Sequence, residues 1–209
     1  NATALTFTGF AAGHVGDIVI VKSVGAGQVN FKHLNAGSSG SNQLENFVSS
    51  CDTPLAPGKG SVIYIYDGTA VCWKLFHHEQ GDWIASTLTT KTVNGGGTAG
   101  AETINNNKFY LRGNTLHWEI YFVWASATGT VTSIDYTLPI SGASMKGATQ
   151  SNLIWAVNNS ATAVKPLVWA VANNDTKARF QFFNGTGVGE NFSTTSSTSF
   201  NGFATFRIN

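Results

Sequence analysis

The chain is organised around Lys108 to Leu138, where apolar residues recur at a two-residue period on either side of Arg112-Gly113-Asn114 and of a soft patch at 125–129. Leu116, Trp118, Ile120, Phe122 and Trp124 fall on one side, and His117, Glu119, Tyr121 and Val123 on the other. Successive side chains of a strand point to opposite faces, so this pattern predicts a long strand lying on a core. Just before it stands Arg112-Gly113-Asn114. Gly and Asn both tolerate φ > 0, so the tripeptide predicts a tight hairpin turn. After it Thr132, Ile134, Tyr136 and Leu138 keep the same period until Pro139, which cannot donate to a strand ladder.

The rest of the chain reads the same way. Asn1 to Phe10 is a short alternating strand. Ile18 to Val21 is a continuous apolar run that suits a strand buried on both faces. Val29, Phe31 and His33 alternate, and Leu44 to Val48 returns to apolar residues. Ser61 to Tyr66 and Val71 to Phe76 flank Asp67-Gly68, a strong hairpin signal. His77 to Asn107 is polar and glycine-rich and reads as a bridge. Beyond it, Leu153 to Val157, Val164 to Val171, Lys177 to Phe183 and Phe200 to Ile208 alternate with turns rich in Asn, Gly, Ser and Thr. Short strands so regularly punctuated predict an all-β chain of two small modules. Residues 1–76 form the first, 77–107 the bridge and 108–209 the second, a β-sandwich of jelly-roll type.

Composition narrows the function classes. Charged residues are 11% of the chain, against roughly 25% in an average soluble domain. The net charge of +1 offers no electrostatic footprint for nucleic acid or an anionic membrane. No apolar run reaches the roughly 18 residues of a membrane span. No signal peptide is visible, and upstream processing stays open. The cysteines, Cys51 and Cys72, make no disulfide framework, and whether they pair is also open. Few charges and many aromatics leave more apolar surface than one module hides, which predicts a permanent oligomer. Its interface is expected on the outward face of the long strand, at Tyr121 and Val123.

Candidate chemistry is sparse. His77-His78-Glu79 lacks the spacing of a helical zinc site and reads as part of the solvated bridge, so no metal is expected. Glu119 and Asp135 lie on neighbouring predicted strands, where two facing carboxylates would make a pair for glycoside hydrolysis. Solvent-facing positions account for both more simply. No Gly-x-Ser-x-Gly elbow or phosphate loop is present, so neither a catalytic residue nor a cofactor is expected. For ligand binding, aromatics beside amide-rich turns stand out. Trp155 precedes Asn158 and Asn159, and Trp169 precedes Asn173, Asn174 and Asp175. Sugars stack their apolar faces on aromatic rings, while amides and carboxylates satisfy their hydroxyls. Both tryptophans also suit a core, since each lies inside an apolar strand.

Two stretches carry a family resemblance. Leu55 to Thr69, closing on Trp73, resembles small β modules of bacteriophage tail-fibre and other virion-surface proteins. Gln80 to Ile84, Phe109 to Trp118 and Tyr136 to Ile140 resemble the distal domain of the same proteins. The resemblance implies trimeric, non-enzymatic β-rich proteins on the virion surface that contact other virion proteins or host-surface glycans. No coiled-coil, collagen-like or β-helix stalk is present, which favours a fibre tip, head fibre or decoration protein. The alternatives are a soluble carbohydrate-binding module or lectin and a polysaccharide-degrading spike.

Overall fold

The computed structural model describes residues 3–48, 51–87, 91–98, 100–124, 128, 130–141, 143–144, 152–158, 164–170, 176–183, 189–190 and 198–208. Side chains are described for all of these except 91, 124, 152–158, 164–170, 180–183, 189–190 and 198–202. Among the described residues there is no α-helix, only one turn of 3-10 helix at Gly40–Asn42. In chain order the strands are β1 (Leu5–Phe7), β2 (Ile18–Lys22), β3 (Val29–Phe31), β4 (Leu44–Glu45), β5 (Thr53–Leu55), β6 (Ser61–Asp67), β7 (Cys72–Glu79), β8 (Ile84–Ala85) and β9 (Lys91–Asn94). They continue with β10 (Glu102–Arg112), β11 (Thr115–Trp124), β12 (Ser133–Thr137), β13 (Asn152–Asn158), β14 (Val164–Ala170), β15 (Lys177–Phe183), β16 (Gly189–Glu190) and β17 (Thr198–Arg207).

The chain is all-β, in several sheets, and among the described residues these do not close into a barrel. A three-stranded sheet has the order β1-β3-β5, and a four-stranded sheet the order β2-β6-β7-β4. A ten-stranded sheet runs β8-β10-β11-β17-β13-β14-β15-β12-β9, with β16 on β15. The two small sheets share one core, where Phe31, Leu44, Leu55, Val62 and Tyr64 are fully buried. Trp73 closes it, donating its indole N–H to the Ala11 carbonyl at 2.9 Å and meeting Phe10 and Tyr66 edge-on. A polar network is built into the same core. The Asn46 amide donates to the Phe31 and Cys51 carbonyls, and its oxygen accepts the Tyr64 hydroxyl at 2.7 Å. Burial pushes the Tyr64 phenol well above its ordinary range.

The large sheet grows from the hairpin that the alternation predicts. Arg112 pairs with Thr115 across Gly113 and Asn114. Only Gly113 takes a positive φ, 57°, so the turn is of the type that asks for Gly at its first central position. Leu116, Trp118, Ile120 and Phe122 are fully buried, as their phase requires. Although β11 and β12 lie far apart in strand order, Phe122 and Tyr136 meet edge-on with centroids 5.4 Å apart. The sheet therefore curls so that both its ends feed one core.

Several expectations from sequence change. Ile18 to Val21 is not buried on both faces: Ile18 is 61% and Ile20 68% exposed, while Val19 and Val21 pack inward. β2 is an edge strand, and β-branched residues suit a pleated surface whether or not a second layer covers it. The Asp67-Gly68 turn is a longer loop than the dipeptide suggests. The Asp67 carboxylate accepts the N–H groups of Thr69 and Ala70, and Val71, not Gly68, adopts positive φ. The Asp67 carboxyl is held at about 2 by Lys74 and by those N–H groups. The polar stretch 77–107 carries the end of β7, all of β8 and β9 and the start of β10. In its first part His77 and Glu79 are exposed, but His78 and Gln80 are not. His78 donates to the Pro54 carbonyl at 2.9 Å, and Gln80 is fully buried.

Gln80 joins the two units. Its amide N–H donates to the Asp82 and Phe109 carbonyls at 2.8 and 3.1 Å. Its side-chain oxygen accepts the Leu111 N–H at 2.8 Å, and its own carbonyl accepts from Ala56 N. A side-chain amide thus stands in for a peptide group beside β10. The backbone crosses itself here at Gly60 and Gly81, with φ of 84° and 91°. A Cβ on Gly60 would come 2.4 Å from the Gln80 carbonyl oxygen. Val48, Cys51 and Ala56 of the N-terminal unit pack into the core of the large sheet, which makes the seam apolar as well as hydrogen-bonded.

Candidate glycan-binding face

The outward face of the large sheet gathers aromatic side chains by register. Tyr110 lies opposite His117, and His117 opposite Thr205. One row along, Lys108 lies opposite Glu119, and Glu119 opposite Phe203. Trp83 arrives from the loop before β8. It stands 6.1 Å from Tyr110 and 6.1 Å, edge-on, from Phe203. His117 stacks on Phe203 at 5.9 Å with the planes 23° apart. Phe203 is 49% exposed, a large apolar group left open to solvent on a strand whose described inward residues, Ala204 and Phe206, are fully buried.

The seam sets the position of Trp83. Gln80 holds the Asp82 carbonyl, Gly81 makes the tight turn, and the Asp82 carboxylate accepts the Trp83 N–H at 2.8 Å. Lys59 ion-pairs with Asp82 from the N-terminal unit and, with that N–H, holds the Asp82 carboxyl below the usual range. Lys108 lies over the Trp83 ring at 5.4 Å, a cation–π distance, and ion-pairs with Glu119 at 3.0 Å. Asn106 donates to the other Glu119 oxygen at 2.6 Å. The Tyr110 hydroxyl donates to Glu79 at 2.9 Å. The phenol is raised from its ordinary value by burial and by that carboxylate. His117 is lowered by burial and by Arg112, so its ring is neutral at pH 7. A neutral imidazole stacked on a phenyl ring, with an indole and a phenol beside it, is an apolar floor rimmed by hydrogen-bonding groups. Such a floor matches the apolar face and ringed hydroxyls of a sugar.

Of the residues singled out from sequence for this role, Trp155, Asn158 and Trp169 have described strand positions, and Trp155 falls in the register row of Asn201, two residues along β17 from Phe203. Trp155 is on β13, opposite Pro166 and Asn201, and Trp169 is on β14, opposite Asn152 and Phe180. Asn158 ends β13. The side chains of Trp155, Asn158 and Trp169, and the whole of Asn159, Asn173, Asn174 and Asp175, are outside the described residues. The carboxylate pair fails as a pair. β11 neighbours β10 and β17, whereas β12 neighbours β15 and β9, so Glu119 and Asp135 are not on adjacent strands. Asp135 is buried and engaged by Arg179 and Asn94, while Glu119 is held by Lys108 and Asn106.

Other features carry less. No group of three or more metal-binding side chains comes together among the described residues. Cys51 and Cys72 are both buried free thiols, and burial pushes Cys51 up to about 12. A hollow of about 460 Å³ on the N-terminal unit is lined by Val15, Ile65, Asp67, Lys74 and Phe76, but its Asp67 and Lys74 neutralise each other at 2.9 Å. A scan against protein-family models finds no match, and neither does a search of curated proteins or of solved structures.

Proposed function

We propose that this chain is a non-enzymatic display protein of the virion-surface type its sequence resembles, and that it contacts host-surface glycans. The contact surface is the outward face built by Trp83, Tyr110, His117 and Phe203. The observation that carries this reading is the half-exposed ring cluster itself, with Phe203 the most open of the four. Four aromatic side chains from separate segments converge on the outward side of strands whose described inward residues, Phe109, Leu116, Trp118, Ala204 and Phe206 among them, are buried in the core. Contiguous exposed apolar patches of this kind mark binding surfaces. The test is a glycan array with the wild type and with Trp83→Ala and Phe203→Ala. Binding lost in both variants, with the melting temperature held, supports the reading; a wild type blank across the array removes it.

Symmetric association into a trimer belongs to the same proposal. It would cover the partly exposed Tyr121 and Val123 or the open apolar strip of Ile18, Ile20 and Phe76. Register fixes which groups of β2 are unused. Ser23 N bonds Gly60 O, and Asp17 O accepts from Tyr66 N. Antiparallel bonding alternates, so Ile18, Ile20 and Lys22 direct their N–H and C=O groups to the open edge. Light scattering should give a particle of about three chain masses by the trimer rule, falling to a single chain for Ile20→Lys if β2 is the contact. A wild-type monomer at micromolar concentration would exclude assembly.

A further inference from the structure

We infer that the glycan held on this face is acidic, carrying a carboxylate or sulfate that Arg112 recognises; the inference rests on the sugar-binding reading above. The charges around the rings are unequally satisfied. Lys59 is taken by Asp82, and Lys108 by Glu119. Arg112 is exposed, and among the described residues no carboxylate lies within ion-pair distance of it. Glu79, the remaining carboxylate at this edge, is turned to the Tyr110 hydroxyl.

The register places that guanidinium where a substituent of a stacked sugar would reach. Arg112 lies opposite Thr115, and Thr115 opposite Arg207, in the row next to Tyr110, His117 and Thr205. Adjacent same-face rows are separated by two residues, about 7 Å along the strand. Arg112 and Arg207 are two strands apart, about 10 Å. A pyranose lying on His117 and Phe203 would therefore extend an acidic group, on itself or on the next sugar, over Thr115 within reach of Arg112. A planar guanidinium binds carboxylate or sulfate oxygens in a fork, an arrangement lysine does not reproduce. The neutral His117 ring beside it keeps the floor apolar, so recognition divides into stacking on the rings and charge at the Arg112 end.

The experiment titrates the full chain with a polyuronate and with its carboxyl-reduced counterpart, at low and high salt. The wild type is expected to bind the polyuronate about tenfold more tightly, an advantage that salt erodes. Arg112→Ala should level the two polymers and leave binding of the reduced one unchanged, and Arg112→Lys should restore only part of the difference. Trp83→Ala should weaken both. Equal binding of the two polymers by the wild type, or a preference that survives Arg112→Ala, overturns the acidic assignment while leaving the ring face intact as a neutral site. A wild type that binds neither polymer and is also blank on the glycan array overturns both readings. Arg112 is an exposed residue at a hairpin end, and an unchanged melting temperature in its variants confirms that only the surface has been altered.

Discussion

Substituting Gln80 tests the seam between the two units and the placement of Trp83 together. The side chain is fully buried and makes three hydrogen bonds, to the Asp82 and Phe109 carbonyls and from the Leu111 N–H. Gln80→Met keeps nearly the same volume and removes all of them. The Leu111 N–H and the Phe109 carbonyl then lose their partners in a dry interior, at about 1–3 kcal/mol for each buried group left unsatisfied. Some relaxation toward water is expected, so the loss should be about 2–4 kcal/mol by the same reasoning. Gln80→Ala adds a cavity and should cost about 1 kcal/mol more. Urea denaturation followed by tryptophan fluorescence and by far-UV circular dichroism measures this. In the wild type the two probes should coincide, because Val48, Cys51 and Ala56 pack in the core of the large sheet. In Gln80→Met the fluorescence change should come first, as the Trp83 loop is released. If Gln80→Met unfolds within about 0.5 kcal/mol of wild type, the scale of an ordinary surface change, the amide is not the clasp described here.

The other predictions address separate parts of the fold. Tyr64→Phe leaves the Asn46 oxygen buried without its donor and should cost about 1–3 kcal/mol in chemical denaturation; a neutral result would mean that water takes the place of the hydroxyl. Val71 is a β-branched residue at φ 52° and is 48% exposed, so Val71→Gly should raise stability by about 1 kcal/mol despite the freedom glycine gains in the unfolded chain; a loss would show that the loop is not strained there. His78 is lowered by burial, only partly offset by its bond to the Pro54 carbonyl and by Glu79, with His77 lowering it further. Its folded value lies below its unfolded value of about 6.5, so the unfolded chain takes up the proton first and stability falls as pH drops below that point, by up to about 1.4 kcal/mol per pH unit. Denaturation at pH 7.5 and 5.5 should show that fall, and His78→Gln should shrink it. His33, lowered chiefly by burial, acts in the same direction.

The parts of the fold that could be read from sequence are those in which neighbours in the chain are neighbours in space. The β10–β11 hairpin is of this kind: a two-residue period and a Gly-Asn turn specify it locally, and the buried stripe from Leu116 to Phe122 follows. At β2 period cannot separate an apolar run covered twice from one covered once; that depends on whether another layer arrives, and none covers Ile18 and Ile20. The polar bridge was misread because Gln80 and Asn107 are buried, and a buried amide is recognisable only by its partners. Asn107 accepts the Trp118 indole N–H and donates to the Ser86 carbonyl. The ring face was missed for a related reason. The alternation puts His117 on the outward side of its strand, but Thr205, its contact in β17, lies 88 residues away. No local pattern brings Trp83, Tyr110 and Phe203 to the same place. A usable signal was present, since outward strand positions carrying His, Tyr and Phe are unusual on a solvated sheet and point to a surface built for contact.

The order of the largest sheet bears on how the molecule is made. β17 is the last strand in sequence, yet it lies between β11 and β13, paired with β11 from Thr115 through Trp124. Ribosome-emerging chain that lacks residues 198–207 has a gap in the middle of its broadest layer, with two ladders unfilled and the inner ends of Trp118 and Phe122 wet. Assembly of that layer must wait for β17 to insert, a late closure over long sequence distance that favours slow folding. Until then the open strands are available to pair with other copies, so synthesis in a crowded cell should call on chaperones, and deletion of residues 198–207 should act on the whole layer as a missing keystone would.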